Sequence, residues 1–223
     1  MTAHFSNSPN VISELVDYTP RACIYRDVFK RAFDILFVVF SAILVLPVVL
    51  ILAILVMMDG GSPFYIQSRV GRDGKLFSML KLRSMVRDAD RKLADYLASN
   101  PEAAREWETT QKLRRDPRVT FVGSVIRRTS LDELPQFWNV LVGDMSVVGP
   151  RPMMPSQREL YPGQAYYALR PGVTGLWQVG DRNNTSFASR AKYDAEYYRI
   201  VGFFSDMAIV LKTVRVMLRG TGV

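Results

Sequence analysis

From Ile35 to Met58 the chain reads ILFVVFSAILVLPVVLILAILVMM, with no charged residue and only Ser41 and Pro47 interrupting its hydrocarbon character. Lys30-Arg31 precede the run and Asp59 ends it. A straight helix of this length rises roughly 36 Å, enough to cross a bilayer. Buried core helices are shorter, which argues against a soluble interior. The polar stretch before the run is too long for a cleavable signal peptide, and no small-residue cleavage site follows. The run is expected to sit in a membrane.

Pro47 bears on the path. It lacks an N–H and clashes with the carbonyl of Ile43, which predicts a break or kink. Each arm then holds about twelve residues and reaches roughly 18 Å, half a hydrocarbon core. Basic residues lie on both sides: Arg21, Arg26, Lys30 and Arg31 before the run, and a strongly basic domain after it. The positive-inside rule keeps both flanks in the cytoplasm. The expected organisation is a polar, poorly ordered tail over 1–29, a re-entrant, proline-broken membrane helix hairpin over 30–58, and a cytoplasmic catalytic domain over 59–223. The domain is placed on the cytoplasmic face of a bacterial inner membrane.

Composition narrows the chemistry. The 223 residues contain one His and one Cys, against 29 Lys+Arg and 21 Asp+Glu, for a net charge of +8. His4 and Cys23 both fall before the apolar run, which disfavours imidazole and thiol catalysis. Disulfide frameworks and zinc sites are excluded by the same counts. Carboxylates, cations and a bound metal remain, which is the apparatus of phosphoryl chemistry. The excess of cations calls for a polyanionic partner.

After a turn at Asp59-Gly60-Gly61-Ser62-Pro63, Phe64–Ile66 and Leu76–Leu80 read as short strands. The Gly71 and Gly74 loop between them suits either a phosphate or a hairpin. Arg87–Ser99 and Pro101–Leu113 read as helices, with Asn100 as cap and Pro101 at the first helical position. Phe187–Ile200 and Phe203–Leu218 read as two more. In the last, Lys212, Arg215 and Arg219 share a side opposite Ile209, Leu211 and Val214. Such a helix suits a membrane surface or a docked position equally. The fold class is α+β, mainly helical, with a small β element.

Ser130-Leu131-Asp132-Glu133 fits a capping box, in which Glu133 returns to the Ser130 N–H. Pro135 argues instead for a helix beginning near Asp132, where backbone N–H groups favour anions. Arg127 would compensate charge. Adjacent helical residues point about 100° apart, so Asp132 and Glu133 are assigned different tasks, one attacking and one holding metal. Further on, Met145–Val148 suits a strand, and Gly149-Pro150-Arg151-Pro152 holds Arg151 in a limited set of directions, fit for phosphate or base recognition.

Together these segments resemble the polyprenyl-phosphate phosphoglycosyl transferases, the monotopic bacterial sugar transferases. The likeness runs from Lys30-Arg31-Ala32-Phe33-Asp34 through Arg69-Val70-Gly71, Lys81-Leu82-Arg83-Ser84-Met85 and Asp116-Pro117-Arg118. Its densest part spans Arg128 to Gln136, Gly143-Asp144-Met145-Ser146 and Gly149-Pro150-Arg151-Pro152, and it closes on Arg170-Pro171-Gly172 to Trp177-Gln178-Val179. The form is most similar to exopolysaccharide-initiating galactosyl phosphotransferases.

The resemblance implies that Asp132 attacks the β-phosphorus of a UDP-sugar, with UDP-galactose or UDP-glucose favoured, and expels UMP. Polyprenyl (undecaprenyl) phosphate then takes the sugar phosphate. It further implies Glu133 as the Mg²⁺ partner, and Arg127, Arg151, Lys81 and Arg83 as phosphate- and nucleotide-binding residues. The implied partners are membrane lipid, a second copy of the chain and downstream glycosyltransferases, with no nucleic acid. Relatives place Ser before the membrane proline, where this chain has Leu46, and Ser-Gly-Arg where it has Gly180-Asp181-Arg182. The competing readings are a metal-dependent glycosyltransferase that releases UDP and a basic, non-enzymatic membrane scaffold.

Overall fold

The computed structural model describes residues 22–110, 113, 115–180 and 187–218. Helix α1 (Lys30–Met58) runs as one α-helix through Pro47. The expected division into two arms is therefore absent as a break in the backbone. The helical path continues on both sides of the proline, even though its ring removes one hydrogen bond.

Both ends of α1 are fixed to the same folded body. Near its start, Asp34 accepts hydrogen bonds from the Ser146 hydroxyl and the Val147 N–H, each at 2.9 Å. Val38 is buried in the largest apolar core. Near its end, Ala53 and Val56 are buried with Leu82 and Ile126. Between these anchors Ile43, Leu44 and Leu46 are 77%, 75% and 66% exposed. An apolar surface of this kind marks a membrane or protein contact.

A π-helical turn (Tyr25–Phe29) leads into α1, which corrects the expectation of a poorly ordered tail as far as residue 29. The reason is a buried acid. Asp206 is fully buried and needs donors, which come from Tyr25 at 2.9 Å, Lys30 at 2.5 Å and Tyr197 at 2.6 Å. Cys23 packs at the edge of the core beside them. Residues 1–21, with His4 and Ser8-Pro9-Asn10, lie outside the described residues.

Strands β1 (Phe64–Val70) and β2 (Leu76–Leu82) pair antiparallel, from Val70 opposite Leu76 to Phe64 opposite Leu82. They are longer than expected because buried Val70 and Leu82 pin their ends. The Gly71–Lys75 segment is the hairpin loop of the two alternatives, with Asp73 and Gly74 at positive φ. Helices α2 (Ala89–Ser99) and α3 (Pro101–Thr110) follow, and the Asn100 side chain accepts from the Ala103 N–H at 3.1 Å, as a cap should.

Then come α4 (Phe121–Arg128), α5 (Gln136–Val142) and β3 (Ser146–Val148). The partner of β3 is β4 (Gly172–Thr174), in parallel, a strand that the Arg170-Pro171-Gly172 sequence disguises as a turn. A Cβ on Gly172 would lie 2.1 Å from the Gly149 nitrogen, so glycine there lets the two backbones touch. Helices α6 (Arg190–Ile200) and α7 (Phe203–Leu218) complete the described fold. Helix α7 docks through Ile209 and through Thr213, whose hydroxyl lies 2.6 Å from that of Thr174. Leu211 and Val214 stay exposed with Lys212 and Arg215; Arg219 lies outside the described residues. Helices predominate over two small sheets, in keeping with the α+β class.

Candidate active site

The site is assembled by two connections to β2. The Asn139 side chain, buried on α5, accepts from the Leu80 N–H at 3.0 Å and donates to the Ser78 carbonyl at 2.8 Å. It thereby fills hydrogen bonds on the strand that would otherwise be unmet inside the protein. On the other side, Thr120 caps α4 through the Gly123 N–H at 2.9 Å. A Cβ on Gly123 would sit 2.0 Å from the Ser84 carbonyl, so glycine permits α4 to approach the chain just after β2.

Between α4 and α5 the chain makes a tight turn. Ser130 adopts a left-handed conformation (φ 57°), and Leu131–Glu133 form one 3₁₀ turn before α5 begins at Gln136. Asp132 is therefore not at the start of the helix proper, as expected; Pro135 delays that start. Leu131 packs against the apolar cluster around Ile126 and Leu82. That anchor leaves the next two residues facing the cleft.

The Ser130 side chain makes no cap hydrogen bond, so Glu133 is not part of a reciprocal capping box. Its carboxylate instead accepts from Lys81 Nζ at 2.9 Å, and the Arg151 guanidinium lies 3.8 Å away. Asp132 reaches the same ammonium at 3.5 Å. The two carboxylates converge on one cation despite their different starting directions, because each is long enough to swing around a tight turn. Their side chains are 13% and 20% exposed. Burial pushes the Asp132 carboxyl above its ordinary range; Glu133 adds to this, while Lys81 and Arg127 oppose it. Asp132 is thus more basic than a solvated aspartate, and its ionisation depends on its cationic neighbours.

A cleft of about 1170 Å³ holds these groups. Its lining includes the cations Lys81, Arg127, Arg151 and Arg190 and the apolar side chains of Phe37 of α1, Phe137 of α5 and Val210 of α7. Arg118 also lines it, locked onto Asp116 at 2.7 Å and set 5.0 Å from the Trp107 ring. Arg83, expected to bind phosphate, is not brought there. Its Nη2 donates to the Val56 carbonyl at 2.9 Å and secures the end of α1.

Arg69, Trp177, Gln178 and Arg190 carry no role in the sequence reading, yet they cluster around Arg151. The Arg190 and Arg151 guanidinium carbons stand 4.2 and 5.8 Å from the Trp177 ring centre. Arg69 donates to the carbonyl of Pro152, next to Arg151, at 3.3 Å. Only the placement of Arg69 and of Trp177-Gln178 in distinctive motifs hinted at them. Of the Gly180-Asp181-Arg182 departure, Asp181 and Arg182 lie outside the described residues.

No group of three or more metal-ligating side chains occurs among the described residues. Magnesium needs no such group, being usually held by one or two carboxylates together with substrate phosphates and water. Glu133, a carboxylate lining the cleft, is a donor of that kind.

A long apolar helix, fixed near both ends to an α+β body, adjoins a cleft that holds paired carboxylates among cations. The chain belongs to the bacterial sugar transferase family, whose profile matches residues 25–220. It is 46% identical over 188 residues to the exopolysaccharide production protein ExoY of Sinorhizobium fredii, covering 83% of each chain. It is 45% identical over 195 residues to the UDP-galactose-lipid carrier transferase of Erwinia amylovora. Over 195 residues it is 46% identical to the undecaprenyl-phosphate galactose phosphotransferase of Salmonella typhimurium. Those two matches cover 86% of this chain but 41% of each relative, so the chain spans less than half of those longer proteins.

Proposed function

We propose that this protein transfers a hexose 1-phosphate from a UDP-sugar, UDP-galactose or UDP-glucose, to undecaprenyl phosphate and releases UMP. The observation that carries the reading is the Asp132–Glu133 pair gathered by Lys81 in a cleft lined by both cations and apolar side chains. The UDP-galactose-lipid carrier transferase of Erwinia amylovora and the undecaprenyl-phosphate galactose phosphotransferase of Salmonella typhimurium support the substrate classes.

In the first step an Asp132 carboxylate oxygen attacks the β-phosphorus. The bond from that phosphorus to the bridging oxygen breaks, and UMP departs with the electron pair. In the second step a phosphate oxygen of the lipid attacks the same phosphorus, and the Asp132–phosphorus bond breaks. The product is a polyprenyl diphosphate sugar. Neither nucleophile needs a separate base once ionised. Lys81 holds Asp132 in that form, and Arg127 and Arg151 neutralise the phosphates. Glu133 would hold Mg²⁺, which when bound supplies charge neutralisation at the diphosphate.

The apolar part of the lining receives the lipid end of the acceptor, and α1 brings the cleft to the membrane. Both ends of α1 contact one body, so we read it as entering and leaving a bacterial inner membrane on the cytoplasmic face. Membrane lipid is then its surrounding, and a second copy or downstream glycosyltransferases are its protein partners.

The test uses a UDP-sugar labelled at the β-phosphate, without lipid. Label should attach to the protein as UMP appears in about equal amount, be lost in hydroxylamine, and move into lipid when undecaprenyl phosphate is added. Asp132→Asn should abolish labelling. Release of UDP, or of UMP only when lipid is present with no trapped label, would reject the covalent route.

A further inference from the structure

Three arginines from separate parts of the chain meet beside the catalytic turn: Arg69 on β1, Arg151 in the Pro150–Pro152 loop and Arg190 at the start of α6. Both Arg151 and Arg190 lie against Trp177, and Arg69 is bonded to Pro152. Two carboxylates face them. Glu133 is 3.8 Å from Arg151, and Asp194 lies one turn along α6 from Arg190. Asp194 is engaged by the Tyr161 hydroxyl at 2.5 Å, and its burial pushes it up to about 7. It therefore carries only part of a negative charge near neutral pH.

Hydrogen bonding there is also incomplete. The Nε atoms of Arg69 and Arg190 are buried and have no partner among the described residues. Gln178, itself only 8% exposed and lining the same cleft, has neither amide atom paired among the described residues. Buried polar atoms are nearly always satisfied, so a group of unsatisfied donors in a cleft wall marks the place of a ligand. Three guanidinium groups against Glu133 and a partly charged Asp194 leave an excess of positive charge, which points to an anionic one.

We propose that Arg190, together with Arg151 and backed by Arg69, forms the subsite that binds the nucleoside monophosphate part of the donor, the UMP that leaves. This rests on the transfer reaction proposed above and adds Arg190 and Arg69 to it. The assignment divides the cleft. Lys81 touches Asp132 and so faces the attacked phosphorus, while the Arg190 cluster lies one position further along the diphosphate and secures the leaving phosphate. The cluster is set among Trp177, Phe187 and Asp194. The lipid acceptor is assigned instead to the apolar part of the lining, at Phe37 and Phe137. Gln178 offers one donor and one acceptor to the same ligand.

The Asp132→Asn protein, unable to turn over, serves as the parent for calorimetric titration with UMP and, separately, with a short polyprenyl phosphate. Arg190→Met should weaken UMP binding at least tenfold and Arg69→Met several-fold, with lipid phosphate affinity within twofold of the parent. Arg190→Lys should recover part of the loss. Melting temperature should stay level or rise in Arg190→Met, because a cation crowded by two others is removed; a purely structural arginine would lower it. UMP affinity within twofold of the parent in both methionine variants overturns the subsite and leaves the transfer reaction standing. So does a loss of lipid phosphate binding equal to the loss of UMP. A parent that binds no UMP overturns both.

Discussion

Lys81 on strand β2 donates to the Glu133 carboxylate across 2.9 Å and so ties the catalytic turn to the hairpin. The same ammonium is the strongest influence holding Asp132 ionised against its burial. Lys81→Met should therefore raise the Asp132 pKa further. The acid limb of UMP release should move to higher pH, and the rate near neutrality should fall on the order of a hundredfold, typical of losing one charge-stabilising donor. Lys81→Arg should restore part of the rate. A pH–rate profile at saturating UDP-sugar checks both.

Glu133→Gln keeps the shape of the side chain and removes its charge. Both Lys81 and Arg151 lose their shared anion, and the proposed magnesium site loses a hard ligand. Activity should fall steeply at ordinary Mg²⁺ and recover in part when Mg²⁺ is raised twentyfold. A flat response across that titration would remove Glu133 from the metal site.

The buried pair Lys30–Asp206, at 2.5 Å, joins the entry of α1 to α7. Removing one partner strands the other charge in the interior, which typically costs about 3–5 kcal/mol. Lys30→Met should lower stability by that order in detergent-solubilised protein, measured by denaturant titration. Lys212→Met, on the exposed side of α7, should change it by less than about 0.5 kcal/mol.

The sequence exposed the elements whose signals are local. The apolar run gave α1, and Asn100-Pro101 gave a capped helix. The acidic pair was legible because two adjacent carboxylates in a cation-rich chain are chemically conspicuous. Arg83 follows Lys81 by two residues, yet β2 stops at Leu82 and Arg83 turns to the Val56 carbonyl. Arg69 and Arg190 were hidden for the opposite reason. They lie far apart in the chain, and only the packing of β1, the Pro150–Pro152 loop and α6 brings them to Trp177. Strand β4 stayed hidden because its glycine serves close contact rather than a turn.

Asp194 supplies a pH signature. Burial raises its carboxyl from the ordinary range to about 7, opposed by Tyr161 and Arg190. A carboxyl raised on folding binds more protons in the native state than in the unfolded one. Its contribution is most favourable below the unfolded pKa and is lost as pH rises through the folded value. Stability should therefore decline between about pH 4 and pH 7 from this group, and Asp194→Asn should flatten the decline. Denaturant midpoints at several pH values for both proteins measure it; parallel curves would exclude Asp194 as the source.

The position of α1 leads to a topological prediction. Val38 near one end and Ala53 and Val56 near the other are buried in the same body, while the middle of the helix is bare. A helix that spanned the bilayer would put its ends about 30 Å apart on opposite faces. The catalytic body cannot occupy both. Single cysteines placed at Ser8 and Ser62, in a Cys23→Ser background, should therefore react with an impermeant thiol reagent from the same side, the cytoplasmic one. In sealed right-side-out vesicles neither should label, and in inverted vesicles both should. Labelling of one site in each orientation would mean that the segment crosses the membrane, and that the contacts of one end of α1 are not made in the bilayer.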